Sequence, residues 1–296
     1  MTSLPIHPSA TDAARRAFAM HDRVWRSNKY VYPVVSRRSK GISIGVNLNP
    51  DKVCNYDCIY CSVDRTVAPT VFDVNLAVLR DELDAMLEVC QSGAIYQFDP
   101  FDRIPPTLRR INDIAFSGDG EPTTCPQFLD ACRRAAELRL QHQMADTKLV
   151  VITNATMFHR PQVQEAFGLL DHNNGEIWAK LDAGTQDYFD LIDRSALSLE
   201  RICEQITQCA IERPIVIQSL FMNVHGVGPR ADEIAAYAGR LRAILARGGK
   251  LKLIQIYTVA RMTTEAYATA LSIEQLQGIA GAVADAGVAV PIEVYG

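Results

Sequence analysis

The chain has 296 residues, 48% of them hydrophobic and 22% charged, enough to bury a large core as one α/β domain. No apolar run approaches the roughly 18 residues of a membrane span, and residues 1–14 hold prolines, a histidine and an aspartate instead of an apolar signal core. A cytoplasmic protein with reduced thiols and no membrane partner is therefore expected.

The net charge of −4 argues against a protein coated in nucleic acid, but the charge is uneven. Residues 15–40 carry eight Lys or Arg (Arg15, Arg16, Arg23, Arg26, Lys29, Arg37, Arg38, Lys40) against one acid, Asp22, and the rest of the chain is net −11. Residues 1–41 thus read as a basic N-terminal arm packed on a core of 42–296. The arm is either a phosphate contact or a solvated helix face followed by a loop lying on the domain.

Six short apolar runs of β type follow: Ile42–Leu48, Ile111–Phe116, Leu149–Thr153, Glu176–Leu181, Ile215–Phe221 and Leu251–Tyr257. Helical patterns separate them. Leu76, Leu79, Leu83, Met86, Leu87 and Cys90 fall on one face. Cys125-Pro126 reads as an N-cap and first helical proline, ahead of a stripe of Phe128, Leu129, Cys132 and Ala136. Residues 160–170 give a weaker helical pattern; Leu199, Ile202, Ile206 and Cys209 give a clear one. Pro229 opens a helix that Gly248-Gly249 ends. Ser272-Ile273-Glu274-Gln275 is a capping box closed by Gly287, and the tail 288–295 is a further strand candidate. The proline-containing stretch 97–110 reads as a long inserted loop. Alternation of strands and helices implies a parallel sheet with right-handed crossovers, and six units are too few for the usual closed eight-stranded barrel. In such folds the chemistry sits just after each strand.

After the first run stands Cys54-Asn55-Tyr56-Asp57-Cys58-Ile59-Tyr60-Cys61. A structural zinc site takes four ligands, commonly in two spaced pairs, and a cubane iron–sulfur cluster normally takes four thiolates. The other five cysteines (Cys90, Cys125, Cys132, Cys203, Cys209) are scattered and offer no second pair; Cys90, Cys132 and Cys209 sit on apolar helical stripes. Three thiolates on a cluster leave one iron free for something other than protein. After the second run comes Gly118-Asp119-Gly120-Glu121, after the third Thr153-Asn154, after the fourth Lys180-Leu181-Asp182, with Lys180 and Asp182 on one face. The fifth carries Gln218 and is followed by His225; the sixth ends at Tyr257 and leads to Arg261. Each has a plainer reading: a βα turn, an Asn-supported turn, an ion pair, a surface histidine.

The CxxxCxΦC spacing with Tyr60 at Φ, together with the phrases SRRSKGISIGVNLNPDKVCNYDCIYC, FSGDGEPT, KLDAGT and QIYTVAR, resembles the radical S-adenosylmethionine (SAM) superfamily, in a bacterial group loosely related to the wyosine-forming tRNA enzymes and to radical activases. The resemblance covers roughly residues 33–261. It implies an open partial (β/α)6 TIM-like barrel and a [4Fe-4S] cluster on Cys54, Cys58 and Cys61. It also implies SAM on the open iron, cleaved to a 5′-deoxyadenosyl radical that abstracts hydrogen from a substrate, and a one-electron donor of flavodoxin or ferredoxin type. By the same resemblance Tyr60 would meet the adenine through its backbone, and Gly118, Asp119, Gly120 and Glu121 the methionyl ammonium. Asp119 stands where the family commonly has Gly. Asn154, Lys180, Asp182 and Gln218 are candidates for the remaining polar contacts with SAM. Lys180, Tyr257 and Arg261 are the catalytic candidates, Lys180 also as a Schiff-base amine were its pKa depressed. The competing reading is an iron–sulfur or electron-transfer protein that keeps the fold without radical chemistry. The substrate is open between a tRNA base met by the basic arm, a protein, and a small metabolite under a lid formed by residues 97–110.

Overall fold

A computed structural model describes residues 25–296 of the chain; Arg15, Arg16, Asp22 and Arg23 of the basic segment lie outside the described residues. The strands are β1 (Val31–Ser36), β2 (Gly41–Val46), β3 (Ile111–Phe116), β4 (Lys148–Thr153), β5 (Gly175–Lys180), β6 (Ile215–Leu220), β7 (Met222–Val224), β8 (Leu251–Tyr257), β9 (Ala268–Ala270) and β10 (Ile292–Tyr295). The α-helices are α1 (Leu76–Gln91), α2 (Phe128–Gln141), α3 (Pro161–Asp171), α4 (Gln186–Ile192), α5 (Leu199–Glu212), α6 (Ala231–Ala246) and α7 (Ile273–Asp285). Eight strands form one sheet in the order β1-β2-β3-β4-β5-β6-β8-β10, and β7 pairs with β9 separately. From β2 to β10 every neighbour is parallel; β1 alone is antiparallel, to β2. The six expected strands are its centre, and the expected tail strand pairs parallel with β8. The result is an α/β half-barrel of the partial TIM-like kind.

Period-two alternation decides what each strand contributes. On the outer face, Ile42, Ile44, Val46, Ile114, Phe116, Leu149 and Val151 meet the helices in one large core. On the inner face a small second cluster of Ala115, Val150, Trp178 and Val216, flanked by Ile152 and Leu253, packs the lumen. Above it, toward the strand C-termini, the inward positions turn polar: Lys180, Gln218 and Gln255 stand in register on adjacent strands. The lumen is thus apolar at one level and reactive at the next.

Local signals place the helices. Asn75 caps α1 by accepting from Ala77 N and Val78 N at 3.0 and 3.2 Å. The capping box of Ser272 and Gln275 is formed at α7. Glycines matter where backbones nearly touch: a Cβ on Gly184 would lie 2.1 Å from Tyr237 N, so only glycine lets the end of β5 abut α6.

Three expectations change. Residues 31–36, assigned to a basic arm, form edge strand β1, and five of the six are buried. Cys125-Pro126 does not open a helix. The Glu121 carboxylate accepts from Thr123 N and sets up a 3-10 turn, Pro122–Thr124, which ends at Cys125, so α2 starts only at Phe128. The stretch 97–110 is tied down by 3-10 turns at Phe101–Arg103 and Pro106–Leu108, with Phe101 and Ile104 buried. It leads into β3, and the amide of Ile42, at the start of β2, donates to Arg110 O. It therefore lies at the N-terminal end of the strands and cannot be a lid over the other end. Among the described residues no helix is long and apolar enough to cross a membrane.

Candidate active site

The loop after β2 carries Cys54, Cys58 and Cys61, all free thiols and partly buried. Its backbone is held from two sides. Ile59 N donates to Ile192 O and Asp57 N to Asp193 O, at the end of α4; Thr264 N donates to Cys61 O and Glu265 N to Ile59 O, from the segment after β8. Ile59 is fully buried and acts as the loop's anchor. Among the described residues no three His, Cys, Asp or Glu side chains converge as ligands of one metal ion. A single ion draws its thiolates to about 2.3 Å, whereas a cluster takes each on a separate iron.

Burial pushes the Cys54 and Cys58 thiols upward, and the Asp193 carboxylate, 3.4 Å from Cys58 Sγ, adds to the rise at Cys58. Cys61 Sγ instead faces a cation, with Arg65 Nη1 at 3.4 Å. Arg65 was missed, although a basic residue four positions after a reactive thiol is a readable signal.

The Gly118–Glu121 turn presses directly on this loop. A Cβ on Gly120 would fall 2.1 Å from Val53 O, beside Cys54, and one on Gly118 would fall 2.3 Å from Asn47 Oδ1. Asp119 is held by Asn47, whose Nδ2 donates to it at 2.7 Å. Glu121 is buried and its carboxylate is spent inside the protein: it accepts from Thr123 N, Thr123 Oγ1, Thr153 Oγ1 and Asn154 N. Burial raises its pKa against those donors. Glu121 thereby fixes the turn to the end of β4. Asn154 Nδ2 in turn donates to Asn55 Oδ1 at 2.7 Å, tying the end of β4 to the cysteine loop.

Opposite, Lys180 and Asp182 form the expected same-face pair, Nζ to Oδ2 at 2.9 Å with side chains 17% and 1% exposed. Burial alone would lower the Lys180 pKa, but Asp182, Tyr257, Cys58 and Asp193 together outweigh it and hold the ammonium above its ordinary value. That is the opposite of what a Schiff-base amine needs. Asp182 also accepts from Leu220 N and from the Tyr60 hydroxyl, and Tyr60 donates to Asp193 as well. Lys180 lies 4.8 Å over the Tyr60 ring. Burial, then the neighbouring Asp182 charge, pushes Asp193 up to about 7. Asp193 is the largest omission from the sequence reading; it follows a short helix and belongs to no motif.

Thirteen of the expected residues line a single cavity of about 290 Å³ at the C-terminal ends of the strands: the three cysteines and Tyr60, the Gly118–Glu121 turn, Asn154, Lys180, Gln218, Tyr257 and Arg261. Asp182 stands behind Lys180. Gln218 is fully buried; its Nε2 donates to Gln255 Oε1 at 2.8 Å, while its own Oε1 has no partner. A buried acceptor left open on a cavity wall is a place for a ligand donor. His225 stacks on Tyr267 at 4.2 Å and is not part of the cavity lining.

Deeper in the cavity Asp113 accepts from the Ser43 hydroxyl and is pushed up to about 6, by burial first, against the fields of Arg38 and Lys148. A carboxyl that ionises near 4 when unfolded and near 6 when folded takes up a proton on folding between those values. Its contribution to stability is fully present below about 4 and lost as pH rises through 6, by roughly 3 kcal/mol. Asp113→Asn should flatten the stability profile between pH 4 and 6 in denaturant titrations and stabilise the chain at pH 7.5; an unchanged slope would place the titration elsewhere.

No family model matches the chain. Among curated proteins it is 23% identical over 252 residues to a protein named GTPase Obg of Brachyspira hyodysenteriae, covering 83% of this chain and 32% of that one. The chain has no GxxxxGK[ST] phosphate loop of the kind such a name implies. It is 25% identical over 216 residues to a UPF0026 protein of Helicobacter pylori, covering 72% of this chain and 61% of that one. The chain thus spans about a third to three fifths of the length of these relatives. Among solved structures it is similar to a radical SAM methyltransferase from Sphaerobacter thermophilus, with TM-score 0.60, 13% identity, and 90% and 68% of the two chains covered. It is also similar to Streptococcus suis SuiB bound to S-adenosylmethionine, with TM-score 0.56, 11% identity, and coverage of 88% and 52%. The chain has the half-barrel fold of the radical SAM enzymes.

Proposed function

We propose that the protein is a radical SAM enzyme, holding a [4Fe-4S] cluster through Cys54, Cys58 and Cys61 and binding SAM in the cavity beside them. The observation that carries this reading is that the cysteine loop, the glycine–acid turn and the polar ends of β4, β5 and β6 all border one cavity. The donor set suits the cluster: three unbridged thiols on one pinned loop. When bound, the cluster supplies one electron to the sulfonium of SAM, giving methionine and a 5′-deoxyadenosyl radical that takes a hydrogen atom from the substrate.

The chain's own part is to bind, orient and keep water out. Glu121 holds the Gly118–Glu121 turn on the cavity wall, and the lack of Cβ atoms at Gly118 and Gly120 lets that turn pack against Asn47 and Val53. Gln218 Oε1 offers an acceptor to a ribose or substrate hydroxyl. Lys180, Asp182 and Asp193 fix Tyr60 within the cysteine loop and set the loop's charge. A flavodoxin- or ferredoxin-type donor would supply the electron.

The test is anaerobic reconstitution with iron and sulfide, then SAM and a strong reductant. Release of 5′-deoxyadenosine, and an EPR signal of the reduced cluster perturbed by SAM, are expected. A cluster that forms but ignores SAM would leave an iron–sulfur protein without radical chemistry.

A further inference from the structure

In the hairpin joining β1 to β2, Arg37 and Arg38, assigned from sequence to a basic arm, line the same cavity as the cysteines. The Arg38 guanidinium lies 4.8 Å over the Tyr257 ring and 6.0 Å from that of Trp178. Aromatic faces hold a guanidinium in place without using its N–H groups. The Arg38 side chain makes no hydrogen bond or ion pair among the described residues, so its donors remain unspent. Of the other charges on this wall, Lys180 is committed to Asp182, Glu121 to four donors, Asp113 to Ser43, Asp119 to Asn47, and Arg65 to Lys52 O and Cys61. Arg37 donates to Gly296 O, and burial followed by the charge of Arg38 lowers its pKa. Two adjacent guanidiniums that repel each other in a half-buried cavity are relieved by an anion.

We infer that Arg38, held over the Tyr257 ring and near Trp178 with Arg37 beside it, is the anion subsite for the substrate, a small molecule carrying a phosphate or a carboxylate. This rests on the cavity being the active site proposed above. The cavity, about 290 Å³, is of the size that takes a small ligand.

The experiment is calorimetric titration of the anaerobically reconstituted full chain with inorganic phosphate and, separately, with succinate, with and without saturating SAM. Saturable binding of at least one anion is expected, weakened tenfold or more in Arg38→Gln and partly retained in Arg38→Lys. Lys40→Gln, which removes an exposed cation on the same hairpin, should leave it unchanged. Thermal melts of each variant separate lost binding from lost folding, since removing Arg38 also takes a positive field away from the buried Asp113. Preference between the two anions identifies the group. Equal affinity in wild type and Arg38→Gln would overturn the inference. So would loss of anion binding on adding SAM, which would make Arg38 a cofactor contact, or Arg38-dependent binding seen only with tRNA. Anion binding is read without turnover, so its failure leaves the radical SAM reading standing, and failure to release 5′-deoxyadenosine leaves the subsite standing.

Discussion

Cys58→Ser should fold like the wild-type chain, yet after anaerobic reconstitution hold well under one iron per chain where the wild type holds about four. Its release of 5′-deoxyadenosine should fall by at least about a hundredfold. The serine keeps a hydrogen-bond donor toward Asp193, and the backbone anchors of the loop do not involve the Cys58 side chain, so stability should change little. Only the metal ligand is lost. Cys90→Ser is the matched control: that thiol is buried on the inner stripe of α1, pushed up to about 12 by burial, and its replacement should cost roughly 1 kcal/mol of stability with iron content unchanged. Iron analysis, the visible spectrum and denaturant midpoints check all three statements. Full iron in Cys58→Ser would remove the three-thiolate site.

Lys180→Met should destabilise the chain by about 3–5 kcal/mol, because it leaves the Asp182 carboxylate buried with no cation and returns Asp193 to the field of a bare acid. The cost should shrink by half or more in Lys180→Met/Asp182→Asn, where the stranded charge is gone and the asparagine oxygen still accepts from Leu220 N. Urea titrations of the two single variants and the double variant measure the coupling. A loss below about 1 kcal/mol in Lys180→Met, with no recovery in the double variant, would show that the pair carries little structural load.

The six central strands were legible because each is a short apolar run between turn signals; Ile111–Phe116 and Leu251–Tyr257 have the expected bounds. The capping box at Ser272 was equally local and equally readable. Edge strand β1 was not, since Pro33 and the adjoining Arg37 and Arg38 look like a loop with a charged end. Its burial comes from β2, where Gly45 makes room for the Tyr32 ring: a Cβ there would lie 2.3 Å away. The expected site residues mark the right cavity because barrel topology places every strand end on one rim. What each carboxylate does there was illegible. Glu121 faces the end of β4, 32 residues on, and Asp193 meets Cys58 and Tyr60 across more than a hundred positions. No periodicity encodes such meetings.

The crossing of the β1–β2 hairpin to β10 bears on how an unclosed barrel guards its seam. A sheet with two free edges invites strands from other chains. Here β10 is only four residues long, and Pro33 deprives β1 of one backbone donor. Lys40 reaches Glu293 at 3.3 Å and Arg37 reaches Gly296 across the gap, while Tyr295 donates to Arg38 O. The rim is latched by side chains instead of laced by a backbone ladder. Such a latch hides both edges from intruding strands, yet is held partly by charges that salt screens, so raised ionic strength should loosen this wall of the barrel before any other.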